Sequence, residues 1–335
     1  MNGKRRAVSV IIPNWNGLRF LDACLRSLQQ QTYPELRILV VDNASTDGSL
    51  EWIRERFPLV EILPLDRNYG FSEAVNRGIL ISDTDYIGLL NNDTECDSRW
   101  VESGLRALEE NPDIGYVACQ VLDFYQRDRL DSAGDVLTKT GLPLKRGSDK
   151  PASGEFLIAR RVFGATAGAA FYRRELFGKV GLFDSGYFMY LEDIDWCLRA
   201  TLMGIRCMYV PEARVYHIEG GSDPLRASYL ARGQTERKGF HTPQRTYWIT
   251  RNRVRLLVKN YPTVLLVRRS PWIFWGFIKS GLFHALRSRL FGSYTRGLWH
   301  GLRELPGCLE LRRQIQPSRC VTVRHFEEII LGKAQ

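Results

Sequence analysis

The sequence has seven cysteines but no CxxC pair, and the odd count leaves one over in any set of disulfides. They are expected to be reduced, buried thiols of a cytosolic protein, with no zinc site among them. The C-terminal region has no apolar run approaching the ~20 residues of a spanning helix. Its longest uncharged stretch is Ser270–Ile278. Met1–Arg6 is polar and basic and Ala7–Ile12 is strand-like, so no cleavable signal peptide is expected. No GxGxxG follows the first apolar run, which disfavours a dinucleotide dehydrogenase, and no GxxxxGK[ST] marks a P-loop. HExxH and GxSxG are both missing, which disfavours zincins and the common serine hydrolases. There is no internal repeat and no low-complexity segment.

What is present is a chain of 335 residues, 44% hydrophobic and 25% charged, the composition of a folded protein. Its length suggests one large domain and something smaller. The net charge of +10 is unevenly spread. Residues 237–335 hold 19 Lys/Arg against 4 Asp/Glu, whereas residues 1–236 hold 28 against 33. A mildly acidic main domain therefore carries a strongly basic tail, suited to phospholipid, a pyrophosphate-bearing acceptor or nucleic acid.

The first part alternates strand and helix. Val8–Ile12 is a strand stopped by Pro13. Leu18, Leu21, Leu25 and Leu28 follow at helical spacing, with Asn16 as the expected cap. Arg37–Val41 is the next strand, ending at Asp42. Ser49–Phe57 reads as a helix, Val60–Leu63 as a strand, Ser72–Ile81 as a helix and Tyr86–Leu90 as a strand running into Asn91-Asn92-Asp93. Such alternation gives a mostly parallel sheet covered on both faces, with ligands beyond the carboxyl ends of the strands. From Asp113 to about Gly164 the pattern is irregular and reads as a loop-rich insertion with a few strands. A helix is expected from near Leu191 to Gly204, then a strand over Arg206–Val210 and a second short strand ending at His217. The tail reads as helical. Its Trp272, Phe274, Trp275 and Phe277, between Arg268/Arg269 and Lys279, suit either an interfacial helix or a helix packed on the main sheet.

Three places carry candidate chemistry. Asp93, at a strand end, could hold Mg²⁺ or Mn²⁺ against phosphates, though Asn-Asp there also makes an ordinary turn. Glu192, Asp193 and Asp195 open a helix. They could cap it, or one could take a proton from an attacking hydroxyl. His217 could add an imidazole to a cation held by Asp93, or be structural. Asp42 could contact a nucleotide or close an Asx-turn over Asn43-Ala44-Ser45.

The order of the motifs is more specific than any one of them. Val8-Ser-Val-Ile-Ile-Pro-Asn-Trp-Asn-Gly17, Leu39-Val-Val-Asp-Asn-Ala-Ser-Thr-Asp-Gly48 and Arg67-Asn-Tyr-Gly-Phe71 with Asn76-Arg-Gly78 resemble the opening of family 2 glycosyltransferases. Leu90-Asn-Asn-Asp-Thr94 is similar to the family's DxD region, Glu192-Asp-Ile-Asp-Trp-Cys-Leu-Arg-Ala200 to its catalytic ED segment, and Val215-Tyr-His217 to its closing histidine. The resemblance spans about residues 7–260. It implies an α/β GT-A fold, with a Rossmann-like, nucleotide-sugar-binding half at 7–112 and an acceptor-binding half at 113–236. The basic helical region at 237–335 would be a C-terminal extension.

By the same resemblance, Pro13, Asn14, Asn16, Asp42, Asn43, Arg67, Asn68, Gly70, Asn91 and Asn92 would line the nucleotide-sugar site. Asp42 would accept from the base and Arg67 would assist. Asp93 and His217 would bind the divalent metal, with Asn91 standing where the family usually has the first Asp. Asp193 would be the general base, with Glu192 as its alternative. The implied reaction is a single inverting displacement. The VIIPNWNG and LNND motifs with a basic tail are similar to rhamnosyltransferases of bacterial cell-surface polysaccharide assembly. That implies a dTDP- or UDP-sugar donor, a glycan or lipid-linked acceptor, and a cytoplasmic enzyme peripheral on the inner face of the membrane. The rivals are a nucleotidyltransferase, whose Gly-rich basic loop is missing here, and a non-catalytic binding protein. No nucleic-acid module is recognisable in the tail, so no nucleic-acid partner is expected.

Overall fold

The computed structural model describes residues 6–218, 241–287 and 289–333. The boundary expected at 236/237 lies outside them.

The chain opens with β1 (Val8–Asn14), α1 (Leu18–Gln29), β2 (Leu36–Asp42), α2 (Ser49–Arg56), β3 (Glu61–Pro64), α3 (Phe71–Ile81) and β4 (Tyr86–Leu90). Then come β5 (Thr94–Cys96), α4 (Trp100–Glu110), β6 (Ile114–Asp123) and the short strands β7 (Leu130–Ser132), β8 (Asp135–Leu137), β9 (Pro143–Lys145) and β10 (Arg160–Val162). β11 (Ala169–Arg173), α5 (Leu176–Lys179), α6 (Glu192–Leu202) and β12 (Arg206–His217) complete the sheet region. The tail forms α7 (Pro243–Asn260), α8 (Thr263–Leu286), α9 (Phe291–Arg303), α10 (Leu305–Ile315) and α11 (Val323–Ile330).

The main sheet runs β10-β12-β6-β11-β4-β1-β2-β3. β1 is parallel to β2 and β4, β2 to β3, and β12 to β6. Only β11 and β10 run against them along this path. The sheet is therefore mostly parallel, and Asn14, Asp42, Leu90 and His217 all end strands on one edge.

Alternate residues of β1 and β2 enter different cores. Val8, Val10, Ile12 and Val40 pack under α1, α2 and α4 with Leu21, Ile53 and Trp100. Ile11, Leu39 and Val41 face α3 and α6 with Val75 and Trp196. The tail joins this second face through Leu256 and Tyr261 of α7, Leu265 of α8 and Phe326 of α11.

Three elements differ from the sequence reading. β6 is a ten-residue strand buried throughout, inside the stretch expected to be irregular. With both faces covered it needs no polar alternation, so its Gly115 and Gln120 masked it. The two strands expected on either side of Pro211 are one strand, β12. It loops out between Val210, which faces Cys119, and Arg214, which faces Gln120. Asn16 does not cap α1. Its backbone is left-handed (φ 51°) and its Oδ1 accepts from the Thr46 amide at 2.8 Å. The Leu18 amide instead donates to Asp47 Oδ2 at 2.9 Å.

Candidate active site

The ends of β1, β2 and β4 are laced together by asparagine amides. Asn14 Nδ2 donates to Asp42 Oδ1 (2.9 Å), and Asn14 Oδ1 accepts from Asn92 Nδ2 (2.7 Å). Asp42 is fully buried, and it also accepts from the Ser45 amide (2.9 Å) and hydroxyl (2.6 Å). It thus closes the Asx-turn and fixes the loop after β2. Gly17 is dictated by this lattice, since a Cβ there would lie 2.0 Å from Asn92 Nδ2. Arg67 is exposed, its guanidinium 4.5 Å from the centroid of the Tyr69 ring. Pro13 is half-buried beside Val41.

A second lattice couples the loop before α3 to the loop before α6. Asn43 accepts from the Tyr69 amide (3.0 Å) and donates to the Gly70 carbonyl (2.9 Å), while Asn68 accepts from the Gly70 amide (2.8 Å). Gly70 has φ +84° and lies so close to Phe188 that a Cβ would sit 2.4 Å from the Phe188 carbonyl oxygen. The Phe71 amide donates to that same carbonyl at 2.6 Å.

Phe188, Tyr190 and Leu191 all have positive φ without being glycine, which costs roughly 1–3 kcal/mol each. α7 holds them there. Buried Asn252 donates to the carbonyls of Tyr187 (3.0 Å), Met189 (2.9 Å) and Tyr190 (2.8 Å), and Trp248 stacks on Phe188 at 5.1 Å. Asn252→Ala is expected to cut turnover by about tenfold or more by releasing the segment that aims Glu192 and Asp193. A chain with a lowered melting temperature but unchanged turnover at 20 °C would contradict this.

The third group surrounds His217, which β12 brings opposite Thr94 of β5. His217 Nε2 is 3.3 Å from Asp93 Oδ1, and Asn91 Nδ2 lies 3.5 Å from the same nitrogen. His217 Nδ1 is 2.8 Å from Asp131 Oδ2, and Asp131 is salt-bridged to Lys145 at 2.8 Å. Burial alone would lower the imidazole pKa, but the Asp93 charge and the Asp131 hydrogen bond outweigh it and push it up to about 10. For Asp131, burial is outweighed by Lys145 and His217, which hold its carboxyl well below the usual range.

This donor set fits a hard divalent cation that takes the place of the Nε2 proton of His217, since only the neutral ring has a lone pair to give. A carboxylate oxygen and an imidazole nitrogen converge, and the far ring nitrogen is anchored by a carboxylate, the usual outer-shell support of a metal-binding histidine. Among the described residues no three His, Cys, Asp or Glu side chains gather around one point. Two protein donors would leave the other positions to phosphate oxygens and water.

The three acids opening α6 separate cleanly. Asp195 is fully buried and accepts from Tyr187 (3.0 Å), Asn260 (2.7 Å), Lys259 (2.6 Å) and Arg199 (3.0 Å), so it binds α6 to α7. Glu192 is buried, and its Oε2 has no hydrogen-bond partner among the described residues. Burial and then the Asp193 charge push its carboxyl well up. Asp193 alone is half-buried, where Glu192 and Asp195 are buried. Its Oδ2 accepts from the Ala167 amide at 3.2 Å and its Oδ1 from the Ile194 amide at 2.8 Å. Burial raises its pKa against those bonds. Asp135 is a further buried carboxyl pushed up by burial and by the charge of Asp193.

Asp131, Lys145, Asp135, Asn252 and Asp47 were not among the candidates from sequence. Asp131 reaches a histidine 86 positions away, and nothing in its local spacing signals this.

Comparison with known proteins points the same way. The sequence model of glycosyl transferase family 2 matches residues 9–181. An N-acetylglucosaminyl-diphospho-decaprenol L-rhamnosyltransferase of Mycobacterium tuberculosis is 31% identical over 238 residues, covering 63% of this chain and 76% of that protein. A crystal structure of GalNAc-T7 with UDP, GalNAc and Mn²⁺ superposes with a TM-score of 0.62 at 17% identity over 90% of this chain, which spans 57% of that one. S. aureus TarS 1-349 does so with a TM-score of 0.54 at 14% identity, covering 96% of this chain and 90% of that one. These last two likenesses concern the fold, which is GT-A.

Proposed function

This chain belongs to glycosyl transferase family 2, and from that premise we propose that it is an inverting enzyme moving L-rhamnose from a dTDP- or UDP-linked donor to a hydroxyl of a lipid-linked or cell-surface glycan. The observation that carries this reading is Asp193. It is the least buried acid of its segment, oriented by two backbone amides and raised in pKa by burial. A carboxylate in that state is a stronger proton acceptor than an exposed one. The choice of rhamnose is supported by the mycobacterial relative, whose acceptor is a diphospho-decaprenol-linked sugar.

In this proposal residues 7–112 hold the nucleotide-sugar and residues 113–236 the acceptor. Asn14, Asn16, Asn43, Asn68, Gly70, Asn91 and Asn92 shape the donor pocket, with Pro13 beneath and Arg67 at its rim. Asp42 contributes by fixing the loop that faces the base. Asp193 takes the proton of the acceptor hydroxyl, with buried Glu192 beside it as the alternative base. The oxygen attacks the anomeric carbon from the face opposite the nucleoside diphosphate, so configuration inverts.

Asp93 and His217 would hold Mg²⁺ or Mn²⁺, with Asp131 fixing the imidazole. The cation would neutralise charge on the departing diphosphate. Asp93→Ala is expected to weaken Mn²⁺ and donor binding together, and Asp131→Asn to weaken Mn²⁺ by about 10- to 100-fold. Titration calorimetry of Mn²⁺ and of the nucleoside diphosphate checks both, and unchanged affinities would remove these roles. A screen of nucleotide-sugars with a polyprenyl diphosphate-linked glycan, reading diphosphate release with and without metal, tests the function. Release from no dTDP- or UDP-sugar would overturn the donor assignment.

A further inference from the structure

The four aromatics of the tail do not share a face. Phe277 turns inward, with the Arg253 guanidinium 4.2 Å from its ring centroid, and Ile273 packs against the core. Trp272, Phe274 and Trp275 turn outward, with Phe274 69% and Trp275 58% exposed. The outward positions continue along the whole helix. Val264, Val267, Pro271, Trp275, Ile278 and Leu282 follow one another at intervals of three and four, a single stripe on a helix of 24 residues. At 1.5 Å per residue the stripe from Val264 to Leu282 is about 27 Å long. Leu286, 80% exposed, ends it. α8 therefore has two apolar faces, one used by the core and one left in contact with solvent. On α9, Trp299 and Leu302 are also exposed. Contiguous apolar surface of this kind marks an interaction site.

The charges around the stripe select the occupant. Neither α8 nor α9 contains an Asp or Glu. Lys279, Arg287, Arg289, Arg296 and Arg303 are exposed beside or beyond the stripe. A second copy would bring two such basic regions together, which like-charge repulsion opposes. An anionic lipid surface offers both an apolar layer and negative headgroups. No helix among the described residues is long and apolar enough to cross a membrane.

We propose that the outer face of α8, extended by Trp299 and Leu302 of α9, lies in the headgroup layer of an anionic membrane with its basic residues on lipid phosphates. This goes beyond sugar transfer, and its test reads binding alone. The full chain is sedimented with vesicles of phosphatidylglycerol and phosphatidylcholine, and with phosphatidylcholine alone. It is expected to bind the anionic vesicles at least about tenfold more tightly, with binding that falls as salt rises. Brominated lipids are expected to quench its tryptophan fluorescence. Phe274→Asp with Trp275→Asp is expected to lower vesicle affinity by about tenfold or more at an unchanged melting temperature. Three results would overturn the proposal: a chain that stays in the supernatant unquenched, a double variant that binds like the parent, or a dimer in the analytical ultracentrifuge that the double variant dissolves. The last would assign the face to a second copy.

Discussion

Asp193→Asn is expected to lower sugar transfer by about 10²- to 10⁴-fold while leaving nucleotide binding and the melting temperature nearly unchanged. The amide keeps the size, and its one carbonyl oxygen can still accept from either the Ala167 or the Ile194 amide, but it cannot take a proton. The argument rests on the separation of the acids at the start of α6. Asp195 is committed to four donors and Glu192 is buried, leaving Asp193 as the least buried of the three. The pH profile provides an independent check. The base must be ionised, and burial raises its pKa, so the acid limb of kcat/KM should lie above the ordinary aspartate range and vanish in the variant. Full turnover in Asp193→Asn would remove it as the base. If Glu192→Gln alone abolished transfer, the role would pass to Glu192.

Asp195→Ala, two positions along the same helix, should behave in the opposite way, with a loss of stability of about 3–5 kcal/mol. Removal of this carboxylate leaves Arg199 without its ion pair, leaves the Tyr187 hydroxyl buried without its acceptor, and leaves Asn260 only the Leu256 carbonyl at 3.1 Å. Lys259 keeps Asp184 at 2.6 Å, which favours the lower end of that range. Burial would raise the Asp195 pKa, but Lys259 and Arg199 outweigh it and the net shift is downward. Its contribution is therefore fully present above the unfolded aspartate pKa and is lost as pH falls through the lower folded value. The stabilities of variant and parent should converge in acid. Urea unfolding at neutral and at low pH checks this, and a variant as stable as the parent at neutral pH would contradict it.

These two residues also show what the sequence could reveal. Ile194 and Leu198, spaced as one buried helix face, mean that three acids in four positions cannot all face one way. Spacing does not say which acid faces the cleft, since that depends on Lys259 and Asn260, more than sixty positions away. The β–α alternation to Asn91 was legible because each element is short, periodic and bounded by Gly, Pro or Asn. β6 was not, because a strand covered on both faces has no alternation to display. Asp42, Asn43 and Asn92 were legible as strand-end residues, but their bonds to Asn14 and to the Tyr69–Gly70 segment arise only once β1, β2 and β4 are side by side. The tail left two readings open because α8 packs with one face and exposes apolar side chains on the other.

The loop-out in β12 has a consequence of parity. Four steps along β12, from Val210 to Arg214, answer one step along β6, so Pro211, Glu212 and Ala213 are surplus. Side chains along a strand alternate between faces, and an odd surplus exchanges the faces of everything downstream. His217 meets Asp93 only in that exchanged phase. What places the imidazole is thus the number of residues between Val210 and Arg214 more than their identity. A length change of one there would turn the ring to the opposite side of the sheet without altering any residue of the site.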